Sequence, residues 1–154
     1  HIARLGKLQL YEVYLNVKYA PRHIARLGKL HTIEGYRWRS QRSFLGESGQ
    51  RNYWENTHER VRIRGKNGQC LFDGVCWGYP GSGPQALRAI LMECGLSKAT
   101  AESVAFHAPR HDEPGVDWKI ELNEDGSVHK LLSYWIALAA IRSRSSSFSC
   151  SFTL

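Results

Sequence analysis

The stretch DGVCWGYPGSGPQALRAILMECG, Asp73–Gly95, decides the fold because an apolar helical pattern follows directly on a glycine-rich corner. Ser82 and Gln85 have the spacing of a capping box, in which the serine hydroxyl accepts from a first-turn amide and the glutamine reaches back. Pro84 falls in the first turn, where its missing N–H costs nothing. The stretch therefore predicts a strand, a corner and an amphipathic helix over Gly83–Cys94. The residues that carry the helical pattern and its end are Leu87, Ile90, Leu91, Cys94 and Gly95.

The corner itself allows three interpretations: a structural turn, an anion or ligand site, and a catalytic turn. First-turn amides and the helix dipole favour an anion near Gly81–Gly83. The Walker pattern is absent, however, because Pro84 and Gln85 stand where that pattern has lysine and then Ser or Thr. The glycine spacing does not fit a dinucleotide fingerprint, and Ser82 is not in a G-x-S-x-G elbow. The candidate ligand or partner corner consists of Trp77, Tyr79, Gly81, Ser82 and Gly83.

The same run, DGxxWGYxGSGPxxL from Asp73 to Leu87, resembles the signature of a family of small bacterial and mobile-element proteins of unknown function. The hallmark of that family reads W-G-Y-G-G-S-G-P and is followed by an Ala/Leu-rich helix. The similarity is specific over Asp73–Met92 and looser from Val61 to Leu122. Pro80 stands where the family usually has glycine, which stiffens the corner. The resemblance implies a compact α+β domain and no established reaction.

The charge of the chain is concentrated in its first half. The 154 residues are 42% apolar and 23% charged, as expected for a globular domain, and the net charge is +7. Residues 1–66 contain fourteen Lys/Arg and five Asp/Glu, whereas residues 67–154 contain seven Lys/Arg and nine Asp/Glu. A basic balance indicates an anionic partner without specifying a fold or a reaction. Any anion-binding face is therefore expected in the first half.

Arginines alternate with aromatic or apolar residues in two segments of this basic half. In GYRWRSQRSF, arginines surround Tyr36 and Trp38, a combination that can stack bases and pair with phosphates. The alternative is that the two rings face a core and the arginines face water. In ERVRIRG, Val61 and Ile63 alternate inward, and a turn at Asn67-Gly68 predicts an antiparallel hairpin with a row of outward arginines. The candidate nucleic-acid-binding residues are Arg37, Trp38, Arg39, Arg42, Arg60, Arg62 and Arg64.

The remaining segments complete a coarse plan of the chain. The octapeptide HIARLGKL occurs at residues 1–8 and again at 23–30, either as an accidental duplication or as twin basic clamps, and the intervening residues resemble a strand that ends at Pro21. A second helix is predicted over Leu96–Phe106 with Ser97 as its N-cap. VDWKIEL predicts a strand, and the apolar residues 129–141 predict a closing helix whose first part could be a strand. His107 and His111 do not indicate a metal site, because Pro109 lies between them.

Together these patterns predict one α+β domain over Tyr36–Ile141, with a small antiparallel sheet of four or five strands packed against two or three helices. Residues 1–35 are expected to form a basic extension and residues 142–154 a Ser-rich tail. The first hypothesis is a non-enzymatic protein that binds RNA or DNA, and the alternative is a protein-interaction module (an inhibitor or assembly subunit) that uses the corner. No cofactor or metal is indicated, catalysis is left open with no motif in its favour, and the oligomeric state is open. The four unpaired-looking cysteines and the absence of a leader or membrane-length apolar run favour the cytoplasm.

Overall fold

A computed structural model of the chain describes residues 10–111 and 113–133. The side chains of residues 10–15, 54 and 133 lie outside that description. In chain order the elements are β1 (Leu10–Leu15), a 3-10 turn (Val17–Tyr19), α1 (Ala20–Arg26), β2 (Leu30–Leu45), β3 (Arg51–Gly65), β4 (Gly68–Phe72), α2 (Ser82–Glu93), α3 (Lys98–His107), β5 (Gly115–Leu122) and β6 (Val128–Ser133). No helix among these residues is long and apolar enough to cross a membrane.

The strands form one sheet in the order β1-β4-β3-β2-β5-β6. All neighbouring strands are antiparallel except β1, which runs parallel to β4 at one edge. The predicted turn at Asn67-Gly68 connects β3 to β4, and Gly65 pairs with Gly68 across it. The expected α+β class, with a sheet packed against helices, is confirmed, and the described sheet has six strands where four or five were expected.

The core lies between the sheet and the three helices. Each helix contributes an apolar stripe to it, and the strands contribute the residues that alternate onto the same side of the sheet. The completely or almost completely buried side chains are Leu27, Ile33, Val61, Ile63, Cys70, Phe72, Trp77, Leu87, Ile90, Leu91, Ala101, Ala105, Trp118 and Ile120. Because α1 contributes Ala20, Ile24 and Leu27 to this core, the packed region starts before Tyr36. Part of the segment that was expected to be an extension therefore belongs to the domain.

The helix α2 confirms the central prediction but begins differently from the expected capping box. It starts at Ser82 itself, its N-cap is Gly81, and no side chain caps it. The serine hydroxyl therefore does not act as the predicted N-cap acceptor. At its other end, Gly95 N–H donates to the Met92 carbonyl and Leu96 N–H to the Leu91 carbonyl, which is the Schellman arrangement. The glycine that follows the apolar stripe thus ends the helix as expected.

The other predicted elements agree in type, with three differences. Ser97 caps α3 by accepting from the Thr100 amide at 3.2 Å, as expected. The strand that was expected to end at Pro21 stops at Leu15. Pro21 lies instead in the first turn of α1, where proline is tolerated. The second octapeptide forms the end of α1, a turn and the start of β2, while the first copy lies outside the described residues. The start of the expected closing helix is instead β6, and residues 134–141 lie outside the description.

The contact of Gly35 with Trp118 fixes β5 against β2. The two residues face each other in the β2–β5 register, and the indole ring of Trp118 lies directly against the glycine. A Cβ atom on residue 35 would come within 2.3 Å of two ring atoms, which is far closer than packed carbon atoms allow. The Trp118 ring also meets Trp77 edge to face, with centroids 5.7 Å apart. Glycine at position 35 therefore makes room for the aromatic pair at the centre of the core.

We expect Gly35→Ala to lower the free energy of unfolding by about 2 kcal/mol, because the added methyl group displaces the Trp118 ring from its packed position. Urea unfolding followed by tryptophan fluorescence measures the change. The double variant Gly35→Ala/Trp118→Phe should lose less than the sum of the two single losses, since a smaller ring relieves the clash. Simple additivity of the two substitutions would contradict this account of the glycine.

Candidate nucleic-acid interface

The register of β2 with β3 decides which arginines share a face of the sheet. Directly opposed residues point to the same side, and Ile33 opposes Ile63 on the helix side. The residues between them therefore point to the other side, which is called the outer face below. On the outer face the opposed pairs are Thr32–Arg64, Glu34–Arg62, Tyr36–Arg60, Trp38–His58, Ser40–Asn56 and Phe44–Asn52, and Arg42 lies on the same face.

Side chains at the centre of the outer face form neighbouring stacked groups that we call the ladder: Glu34, Tyr36 and Trp38 from β2 with His58, Arg60, Arg62 and Arg64 from β3. The His58 and Trp38 rings are stacked, with centroids 4.3 Å apart and planes 20° from parallel. The Arg60 guanidinium lies 4.3 Å from the centroid of Trp38. One step further along the strands, the Arg62 guanidinium lies 4.7 Å from the centroid of Tyr36. Diagonal pairing across the two strands therefore alternates planar cations with planar rings.

Two carboxylates hold the ladder arginines from the side. Glu34 Oε1 lies 2.9 Å from Arg62 Nη1 and 3.8 Å from Arg64 Nη2. Asp73 Oδ1 accepts from Arg60 Nε at 2.6 Å. The exposed fraction of the arginine side chains rises along β3, from 10% at Arg60 and 27% at Arg62 to 46% at Arg64. Arg64 thus offers the most accessible cation of the ladder, whereas Arg60 acts mainly by supporting Trp38.

Arg37 does not join the other predicted nucleic-acid residues, because the register turns it to the helix side. Its side chain is only 7% exposed, and its Nη2 donates to Asp117 Oδ2 at 2.7 Å. Glu59, which opposes Arg37 across the β2–β3 pairing, lies 3.3 Å from Arg37 Nη1. Arg39 points to the same side as Arg37, and its Nη1 lies 3.9 Å from Glu113. The expected single arginine surface is therefore divided between two faces of the sheet.

The buried contact of Arg37 with Asp117 joins the sheet to the glycine-rich corner. Asp117 is 1% exposed, and its Oδ2 also accepts from Trp77 Nε1 at 2.8 Å. Glu59 Oε1 in turn accepts from Arg110 Nη2 at 2.6 Å, in the segment after α3. Isolated charges are very costly to bury, so each member of this cluster depends on its partners. The cluster explains why Trp77 and Arg37 are core residues despite their polar atoms.

The corner residues are divided between buried and exposed positions. Trp77 is fully buried, so it cannot form the exposed contact that was expected of it. Tyr79 is 40% exposed, and its hydroxyl lies 2.9 Å from Cys76 Sγ, a hydrogen bond that raises the pKa of the tyrosine. Arg110 lies 5.1 Å from the Tyr79 ring centroid.

The glycines of the corner have packing roles that need no ligand. A Cβ atom on Gly83 would lie 2.1 Å from Cys76 Sγ, and one on Gly81 would lie 2.7 Å from the Tyr79 ring. Ser82 is exposed at the first residue of α2. These contacts support the structural interpretation of the corner, since its small residues allow α2 to approach the preceding chain closely. They leave Tyr79 as the exposed aromatic residue of the corner.

The strands β2 and β3 continue well beyond the sheet as a two-stranded arm, here defined as residues 38–58. The pairing of β2 with β5 ends at Arg37, and the pairing of β3 with β4 begins at Val61. Near the tip of the arm Phe44, Leu45 and Tyr53 are 56%, 73% and 64% exposed. The arm was not predicted as a hairpin. The missing signal was apolar alternation, because the helix-side positions next to the sheet, Arg37, Arg39 and Gln41 on β2 and Glu59, Thr57 and Glu55 on β3, are polar or charged.

Comparison of the chain with protein-family models, curated proteins and solved structures gives no match. The similarity of the corner to a family of unknown function therefore stays a prediction. Within residues 10–111 and 113–133, no three His, Cys, Asp or Glu side chains lie together as metal ligands. The features of the described residues that bear on function are therefore the ladder, the arm and their charges.

We expect Asp117→Asn to lower the free energy of unfolding by about 3 kcal/mol, because it removes one charge of a buried pair and leaves Arg37 with Glu59, a carboxylate that it shares with Arg110. Chemical denaturation followed by circular dichroism measures the loss. The control is Glu113→Gln, which removes a carboxylate that is 83% exposed and 3.9 Å from Arg39. That variant should change stability by less than about 1 kcal/mol. Similar losses in both variants would show that the buried contact is not important for the fold.

Proposed function

We propose that the protein binds nucleic acid through the ladder on the outer face. The observation that carries the proposal is that arginine planes lie on aromatic rings in an ordered row, at 4.3 Å over Trp38 and 4.7 Å over Tyr36. Arg62 and Arg64, which are 27% and 46% exposed, can donate to phosphates from their edges, while the less exposed Arg60 supports the Trp38 ring. Rings and cations in alternation are the combination that backbone-tracking nucleic-acid grooves use.

The charge of the outer face supports an anionic partner. Among the described side chains, cations outnumber carboxylates on this face, whereas α2 and α3 carry two of each sign. The cations are Arg42, Arg60, Arg62, Arg64, Lys119 and Lys130, and the carboxylates that reach them are Glu34, Asp73 and Glu121. The charges of the two helices are Arg88, Lys98, Glu93 and Glu102. A nucleic-acid backbone approaching the molecule is therefore attracted more strongly to the sheet than to α2 and α3. The helix α1, with Arg22 and Arg26 and no acid, adds a second basic region.

The carboxylates of the ladder serve to orient the arginines. Glu34 contacts Arg62 and Arg64 at once, so the two guanidinium groups are held on neighbouring rungs. A free arginine side chain loses about 2 kcal/mol of rotamer entropy when it is fixed. Because the fold already restricts the ladder side chains, they lose less rotamer entropy when the protein binds its partner. The protein then acts as a non-enzymatic binding protein, and a cytoplasmic location belongs to the same proposal.

A protein-interaction role through the corner is the second candidate, and the exposure of Tyr79 favours it. Exposed tyrosines commonly anchor interfaces. Trp77, the larger of the two expected anchors, is however buried against Asp117. The corner is thus left with Tyr79 as its exposed aromatic residue. Capture of a partner from cells that survives nuclease treatment and is abolished by Tyr79→Ala would favour this role instead.

We expect fluorescence anisotropy with labelled oligonucleotides, single-stranded and duplex, to detect binding that weakens steeply as salt rises, because neutralised phosphates release counterions. Arg64→Ala should weaken binding and reduce the slope of log affinity against log salt by about one, the effect of one lost phosphate contact. Arg64 suits the test because its side chain is 46% exposed.

The matched control is Lys98→Ala on α3, which removes one charge from a side chain that is 68% exposed and lies on the helix side. It should leave both affinity and slope nearly unchanged. Equal losses in the two variants would mean that overall charge, and not the ladder, causes binding. Absence of binding at low salt would end the proposal.

A further inference from the structure

The arm is the part of the described chain that extends beyond the other strands of the sheet. Over residues 38–45 and 51–58, β2 and β3 pair only with each other, and no other described strand pairs with their outer edges. Two-stranded ribbons without a third strand or a covering helix are marginally stable in water. The run from Trp38 to Leu45 is about 23 Å long at the usual rise per residue. A ribbon of this length that carries exposed apolar side chains at its tip is suited to contact with another molecule.

The two faces of the arm differ in the kinds of side chain that they carry. On the outer face, which continues the ladder, the described side chains of the arm include Ser40, Arg42, Phe44, Asn52 and Asn56 but no carboxylate. The opposite face carries Arg39, Arg51 and Glu55, so each face has one more arginine than carboxylate. The outer face is distinguished by the lack of a described carboxylate and by its continuity with the ladder.

The side chains on the outer face of the arm are also those that recognise base edges in a DNA major groove. Arginine donates two hydrogen bonds to guanine O6 and N7, and asparagine pairs with adenine N6 and N7. An apolar side chain such as that of Phe44 can contact the thymine methyl group. Arg42 is exposed, and Asn52 and Asn56 are half-buried along the same ribbon. Because alternate residues of each strand point to the same side, these groups lie on one face of the ribbon.

We infer that the arm enters the major groove of a DNA duplex, with Arg42, Asn52 and Asn56 facing the base edges and the ladder arginines at the phosphate backbone beside the groove. This inference rests on the nucleic-acid binding proposed above and specifies its partner. The major groove of B-form DNA is about 12 Å wide and admits a two-stranded ribbon. The major groove of A-form RNA is too deep and narrow for side chains to read. The arm therefore selects duplex DNA over duplex RNA.

The test compares a DNA duplex, the RNA duplex of the same sequence and one DNA strand by fluorescence anisotropy. The full chain is expected to bind the DNA duplex at least tenfold more tightly than the RNA duplex. Arg42→Ala is expected to weaken binding to the DNA duplex about tenfold, the loss of one good base contact. Its control is Arg51→Ala, an exposed arginine of the same arm on the opposite face, which should cost less than about threefold because a single peripheral phosphate contact is weak.

A second pair of variants tests the apolar contact of the arm without changing any charge. Phe44→Ala is expected to weaken binding to duplex DNA, whereas Leu45→Ala, its exposed neighbour on the opposite face, is not. Circular dichroism of all four variants shows that each is folded. Methyl green, which occupies the major groove, should displace the protein, and netropsin, which occupies the minor groove, should not.

The outcomes separate this inference from the proposal beneath it. Binding to all three nucleic acids with equal affinity, or equal losses from Arg42→Ala and Arg51→Ala, would overturn the arm as a groove reader and leave ladder binding intact. Displacement by netropsin alone would likewise overturn the assignment of the groove. Failure to bind any nucleic acid at low salt would overturn both.

Discussion

The pairing of β2 with β3 is the constraint on which the rest of this structure depends. Its register runs without interruption from Thr32–Arg64 to Leu45–Arg51, and it sends alternate side chains to opposite sides of the sheet. A shift by a single residue would exchange the faces, burying Arg62 and exposing Ile63. The core needs Ile33 and Ile63 on the helix side, so hydrophobic burial fixes the register. The ladder and the face of the arm follow from that choice.

The two groups of arginines in this register make different contributions to the fold. Exposed cation–π contacts contribute about 0.5–1 kcal/mol each, and surface ion pairs contribute less. The ladder therefore adds modestly to stability, and its main effect is to orient Arg60 and Arg62. Arg37 is buried with Asp117, where loss of one partner leaves a charge in the interior. One alternating arginine pattern thus supplies both a surface feature and part of the core.

The elements that were predicted from the sequence are those in which the pattern and the packing agree. Leu87, Ile90 and Leu91 face the core with helical spacing, and Val61 and Ile63 do so with the spacing of a strand. The arm and the position of Arg37 were not predicted, because Gly35 and Arg37 occupy helix-side positions where alternation normally shows apolar residues.

Of the candidate site, the outward row Arg60, Arg62 and Arg64 followed directly from alternation along β3. Its grouping with Trp38 required the β2–β3 register, which the sequence does not state. The burial of Trp77 depends on Asp117, which lies forty residues away along the chain and whose partner cannot be read from local spacing. Sequence pattern thus located β3, one of the two strands that carry the ladder, whereas pairing across the sheet determined its members.

The parallel position of β1 imposes an order on assembly. Leu10 pairs with Gly68, so β1 has no neighbour in the sheet until β4 has been synthesised. The β3–β4 hairpin closes a loop of only a few residues, whereas β1 must close one that contains α1 and the whole arm. The edge of the sheet at β4 consequently stays open while the chain emerges. We therefore expect β1 to join that edge only after β4 has formed, although β1 precedes β4 in the chain.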